Sequence, residues 1–140
     1  MNTKHVPSLE LCQEFDQRCK IKGIEMPKTE FYWRIPRIPD PKDDLLVNFE
    51  FSNDYYYCIR APLVSELGEW LPQGFLSSKT LSNYACAVPE HWSEQMISTY
   101  GLNNRDLWDI SMSKTEANAR QKMLNYLIAE GIITNQTSIR

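Results

Sequence analysis

Apolar positions near the end of the chain recur at helical spacing. Between Ser113 and Glu130, Ala119, Met123 and Leu127, with Leu124 and Ile128 beside them, form one stripe, and the run stops at Gly131-Ile132-Ile133. Side chains three and four apart share a helix face, so the pattern predicts a C-terminal helix docked by that stripe. Near the start, Leu11, Cys12, Phe15 and Cys19 follow Pro7-Ser8 and lead to Gly23, which predicts a second amphipathic helix capped by Ser8. Ile24 and Ile132, each directly after a helix-ending glycine, are placed to fold back on the preceding turn.

Elsewhere the period shortens to two. Thr29 to Ile35 contains Phe31, Tyr32 and Trp33, aromatic residues that favour a strand. Pro36, Pro39 and Pro41 follow within six positions, so that stretch lacks the donors for a ladder and reads as an extended loop. Leu45 to Phe51 alternates, with Leu45, Val47, Phe49 and Phe51 on one face. Ser52-Asn53-Asp54 reads as a three-residue turn and Tyr55 to Ala61 alternates again, which predicts a β-hairpin. Pro62 at a first helical position opens a short helix in which Leu63, Leu67, Trp70 and Leu71 share a face, and Pro72 ends it.

The pattern from Gln73 to Met112 is weaker. Thr80 to Val88 and Leu107 to Met112 read as strands, while residues 89–100 fit a helix, with Trp92, Met96 and Tyr100 on one side, and also alternate as a strand. No regular alternation of strand and helix appears. The order predicts an α+β fold, a mainly antiparallel sheet of about four to five strands with N-terminal, short central and C-terminal helices packed on it. One domain over 1–140 is expected, with residues 1–7 and 134–140 flexible.

Composition adds compartment and exclusions. A chain of 140 residues, 42% hydrophobic and 24% charged, buries roughly two thirds of its unfolded surface without a disulfide framework. No stretch reaches the roughly 18 apolar residues of a membrane span, and the start has no secretory apolar run, so a cytoplasmic protein with free thiols at Cys12, Cys19, Cys58 and Cys86 is expected. The net charge of −3 opposes a whole-molecule fit to nucleic acid. Charge is nonetheless segregated: Arg18 to Lys42 holds seven Lys/Arg against three acids, and Asp43 to Glu69 holds six acids against Arg60 alone.

No catalytic or cofactor signature emerges. The five glycines are too scattered for a phosphate-cradling loop, no Cys or His pair has chelating spacing, and no serine sits in a nucleophile elbow. The sequence therefore predicts no cofactor, no metal and no catalytic residue, and leans away from an enzyme. A dispersed site would draw on Asp43, Asp44, Tyr56, Arg60 or His91.

The remaining candidate is the stretch Phe31 to Lys42. Tyr32, Trp33, Arg34, Ile35, Arg37 and Ile38 form the expected binding residues. Ile35 and Ile38 exposed beside two arginines on a Pro-stiffened loop would make a docking surface that loses little entropy on binding. The same aromatics and arginines would equally stack on bases and neutralise phosphates of a single strand. Against both stands a plainer arrangement, in which the aromatics fill the core and the arginines pair with acids.

Two segments, APLVSELGEWLP at Ala61 to Pro72 and TEANARQKMLNYLIAEGII at Thr115 to Ile133, resemble small proteins encoded by phages and integrated elements of gut Bacteroidetes-type bacteria, and Lys28 to Trp33 is similar to a strand of theirs. The resemblance implies a compact α+β fold and an origin on a mobile element, and brings no established activity or site residue. The expectation that follows is a small non-enzymatic accessory protein, monomer or homodimer, that binds another protein of host or phage. Single-stranded nucleic-acid binding is the alternative, and an enzyme with a dispersed site the third.

Overall fold

The computed structural model of the protein describes residues 5–38, 40, 44–71, 76–80, 83–87 and 104–134. The first helix, α1, spans Leu9–Lys22. Ser8 Oγ accepts a hydrogen bond from the Leu11 amide, and Gly23 ends the helix at φ 68°, a left-handed conformation open to a residue without Cβ. Ile24 then donates its amide to Cys19 O at 2.8 Å and is buried, the fold-back that the sequence predicts. Ahead of α1, Val6 and Pro7 are also packed, so the expected flexible end is docked from Val6 onward.

Strands β1 (Phe31–Pro36), β2 (Leu45–Val47) and β3 (Tyr56–Ala61) form an antiparallel sheet in the order β2-β1-β3. The expected hairpin between the second and third strands does not form. Both pair with β1 instead, so that Trp33 lies opposite Leu46 on one side and Ile59 on the other. Placing the aromatic strand in the middle satisfies both of its hydrogen-bonding edges and buries its odd-numbered face under α1, where Cys12 joins Ile35, Leu46, Ile59 and Ala61 in one cluster. Leu46 is therefore buried and Leu45 exposed, the reverse of the alternation that put Leu45, Val47, Phe49 and Phe51 on an apolar face.

This order has a topological consequence. β2 and β3 flank β1 and run parallel to each other, so the eight residues 48–55 between them must travel from the Val47 end to the Tyr56 end across roughly two strand spacings, about 10 Å. α1 covers the odd-numbered face of β1, and Tyr32, which points to the opposite face, is buried at 3% as well.

After β3 comes α2 (Val64–Trp70). Pro62 precedes the capping position, Leu63, rather than opening the helix, and the Glu66 carboxylate accepts from the Leu63 amide at 2.8 Å. A second, two-stranded antiparallel sheet follows, β4 (Leu76–Thr80) with β5 (Asn83–Ala87). Among the described residues the antiparallel strands are thus divided three and two, rather than gathered in one sheet.

Of residues 107–112, read as a strand, 107–111 belong to a helix, α3 (Asn104–Ser111). Leu107 and Ser111, one turn apart, are both buried. The Ser111 hydroxyl donates to Leu107 O at 2.8 Å and accepts from the Cys86 amide at 2.7 Å, anchoring α3 on β5. A run this short supports either period, and burial of one helical face decides it.

The last helix, α4 (Glu116–Ala129), is capped by Thr115, whose hydroxyl accepts from the Asn118 amide at 3.2 Å. Ala119, Met123, Leu124, Leu127 and Ile128 are fully buried, as the stripe predicts. Ala117, Gln121 and Asn125 are buried as well, because α1, α2, α3 and β5 surround this helix. Helix α1 holds the two halves together: Cys12 faces the three-stranded sheet, while Phe15 and Cys19 enter the cluster around α4, where Phe15 stacks on Trp70 with ring centres 6.1 Å apart. The result is an α+β fold with helices packed on antiparallel sheet.

Candidate interaction surface

The six residues predicted to bind split between core and surface. Tyr32 is buried, and its hydroxyl oxygen accepts from the Thr29 amide at 3.3 Å. Ile35, expected to be exposed, is buried at 7% beneath α1 because its odd-numbered position places it on the core face with Trp33. Trp33 is half-buried and donates its indole N–H to Pro7 O at 3.2 Å, tying the N-terminal segment to the sheet. These three build the fold.

The arginines also have intramolecular work. The Arg34 guanidinium lies 4.3 Å from the Tyr56 ring centre, and that of Arg37 lies 5.6 Å from Tyr57. Arg37 Nε donates to Asn53 O at 2.7 Å and its terminal nitrogen to Ser52 Oγ at 2.8 Å, while the Asn53 side chain accepts from the amides of Tyr55 and Tyr56. Arg37 thus clamps the crossing segment to the end of β1. The plainer arrangement weighed from the sequence is met for the aromatics Tyr32 and Trp33, and Arg37 is held by a carbonyl and a hydroxyl.

What remains outward is apolar. Ile38 is 85% exposed, Tyr55 75%, Phe49 58% and Leu45 49%, so four of the six large exposed apolar side chains among the described residues fall between Ile38 and Tyr55. Phe49 stacks on Phe51 with ring centres 5.2 Å apart. Ile38, Leu45 and Tyr55 adjoin the same end of the sheet, since Arg34 pairs with Leu45 and the Arg37 amide donates to Tyr55 O at 2.9 Å. Asp40, Glu50 and Asp54 are exposed in the same segment, and Asp44 is half-buried. Sequence reasoning found Ile38 and missed Phe49 and Tyr55, because even alternation disguises exposed aromatics as strand residues.

Neither a protein-family model, nor a curated protein, nor a solved structure matches this chain.

Of the residues considered for a dispersed catalytic site, the three described ones, Asp44, Tyr56 and Arg60, do not converge. Asp44 lines a pocket of about 190 Å³ with Arg37, Asp40 and Tyr57 beside α1. Tyr56 lies under Arg34, whereas Arg60 donates to Pro27 O at 2.8 Å and lines a different pocket. Asp43, His91 and the segment 89–100 lie outside the described residues. Burial pushes the Cys19 and Cys86 thiols up to about 12 and Cys12 higher still, which keeps them protonated and poorly nucleophilic at neutral pH. Among the described residues no group of three or more His, Cys, Asp or Glu is placed to hold a metal ion, and no helix is long and apolar enough to cross a membrane.

Proposed function

We propose that this protein acts as a small accessory protein that docks another protein on the exposed side chains Ile38, Leu45 and Tyr55, without catalysis. One observation carries the reading: large apolar side chains stand exposed around one end of the three-stranded sheet, set among acidic residues and braced by Arg37. Aromatic side chains of low rotamer entropy on a braced support are what interface cores use. The acids Asp40, Asp44, Glu50 and Asp54 repel phosphates and attract a basic rim, so the surface suits a protein with an apolar centre bordered by Lys or Arg better than a nucleic acid. Burial of Tyr32 and occupation of the Tyr56 and Tyr57 rings by arginines also withdraw those three rings from base stacking. The likeness of Ala61–Pro72 and Thr115–Ile133 to phage and mobile-element proteins supports such an origin, with the partner drawn from host or phage.

The test compares wild type with an Ile38→Ser, Tyr55→Ser double variant in parallel affinity capture. Both positions are more than half exposed, so the melting temperature should hold while retention of the specific partner falls about tenfold or more. Equal retention by a folded variant removes this surface from consideration. Salt-sensitive oligonucleotide binding abolished by Arg34→Ala would replace the reading with the nucleic-acid alternative.

A further inference from the structure

A pocket of about 360 Å³ opens between the last turns of α1, the segment after Gly23, and β3. That volume falls within the range of about 300–1,000 Å³ typical of small-molecule sites. Its floor is apolar: Phe15, Cys19 and Ile24 are buried and Met26 is half-buried. Burial pushes the Cys19 thiol up to about 12, so this floor stays uncharged at neutral pH. The rim is unevenly satisfied. Asp16 pairs with Lys20 at 2.9 Å and Glu25 also has a partner, so neither acid calls for a cation from outside. Arg60 differs. Its Nε donates to Pro27 O at 2.8 Å, which holds the guanidinium in place, and among the described residues its two terminal nitrogens carry no hydrogen bond or salt bridge. A guanidinium held at Nε with its outer edge open is a planar two-donor fork, the geometric match to a carboxylate.

We propose that this pocket binds a medium-chain aliphatic monocarboxylate, its two oxygens on the terminal nitrogens of Arg60 and its hydrocarbon tail over Phe15, Cys19, Ile24 and Met26. Ligands of neighbouring chemistry fit less well. A neutral alcohol or amide gains little from the fork, and an alkylamine is repelled by Arg60 while both acids are already engaged. A phosphate group, at a charge of about −1.5 to −2, would bring more negative charge than one fork offsets, with two carboxylates on the same rim. The tail supplies the rest of the affinity, since each methylene taken out of water strengthens binding by about fourfold. The proposal uses no residue of the docking surface and does not depend on it.

Titration of the isotopically labelled wild-type protein with sodium octanoate, up to about 10 mM, tests it, because millimolar affinity is the weakest worth calling a site. Amide shifts should concentrate at residues 19–26 and around Arg60. Hexanoate, two methylenes shorter, should bind about tenfold more weakly. Octanamide and octylamine should bind at least about tenfold more weakly than octanoate, and inorganic phosphate should leave the same amides unmoved. Arg60→Gln should weaken octanoate binding about 10- to 100-fold, and Arg60→Lys less, with unchanged far-UV circular dichroism. Absence of shifts in the wild type, shifts mapped elsewhere, octanoate no tighter than hexanoate, or equal binding by octanamide, octylamine or phosphate overturns the proposal. The wild-type titration decides even where a variant fails to fold.

Discussion

Arg120 fills the space where a side chain at Gly68 would begin, with Nη1 2.5 Å from the position a Cβ there would take. The same nitrogen donates to Val64 O at 2.6 Å, Nε donates to Ser77 Oγ at 3.1 Å, and Nη2 pairs with Glu116 at 3.2 Å. One guanidinium therefore ties α4 to α2 and β4, and it needs a glycine to pass.

Helix propensity alone favours Gly68→Ala by about 0.5–1 kcal/mol. Here the added methyl displaces Arg120 from Val64 O, and a net loss of about 1–2 kcal/mol is expected. In an Arg120→Ala background the sign should reverse to a gain. Urea denaturation of the four proteins in this cycle measures both values, and the same effect in both backgrounds would rule out the contact as the cause.

The buried pair Gln121 and Asn125 gives a second prediction. Gln121 Nε2 donates to Asn125 Oδ1 at 2.8 Å, and Asn125 Nδ2 donates to Leu11 O at 3.2 Å, joining α4 to α1. Asn125→Ala should cost about 1–3 kcal/mol by leaving the Gln121 amide unpaired in the core. Replacing both, Gln121→Met with Asn125→Leu, should recover most of that loss, because no polar group is then left without a partner. Thermal or urea unfolding of the three variants distinguishes a pairing effect from a purely steric one.

The raised thiols predict loss of stability in alkali. Above pH 9, their ordinary value, an unfolded chain releases the Cys12, Cys19 and Cys86 protons while the folded one retains them. The folded state then binds more protons, so its stability is intact below pH 9 and falls as pH rises towards 12, by up to about 1.4 kcal/mol per pH unit for each thiol. Urea midpoints at pH 8, 9, 10 and 11 should decline only beyond the first interval. Half-buried Cys58 should be the thiol that iodoacetamide modifies in the native protein at pH 8, with all four modified after denaturation.

Arg37 predicts a local effect. Arg37→Ala removes the bonds to Ser52 and Asn53 and should speed amide hydrogen exchange at Asn53 and Tyr56, while protection at the Leu127 and Ile128 amides stays unchanged. Uniform loss of protection would mean that the clamp supports the whole fold.

Much of this fold was legible locally. The caps at Ser8, Gly23 and Gly131 and the stripe through Ala119, Met123 and Leu127 are short-range devices, written within one or two turns of chain. Residues 107–112 were misread because a six-residue stretch fits both periods and only the Ser111–Cys86 contact selects the helix. The candidate surface was half legible. Pro36, Pro39 and Pro41 marked the loop, and Ile38 within it is exposed, but nothing in the alternation distinguished outward Phe49 from inward Leu46.

By itself the sequence determined the class of fold, the two long helices and their buried faces, since period, caps and breakers act between near neighbours. Tertiary structure alone decided that β1 lies between β2 and β3, that Ile35 turns inward while Tyr55 turns out, and that Arg60, Asp16 and Ile24 line one pocket. Strand order and register follow from pairings between residues far apart in the chain. A slip of one position exchanges the two faces of a strand, and no local pattern as short as Leu45–Val47 carries enough information to prevent it.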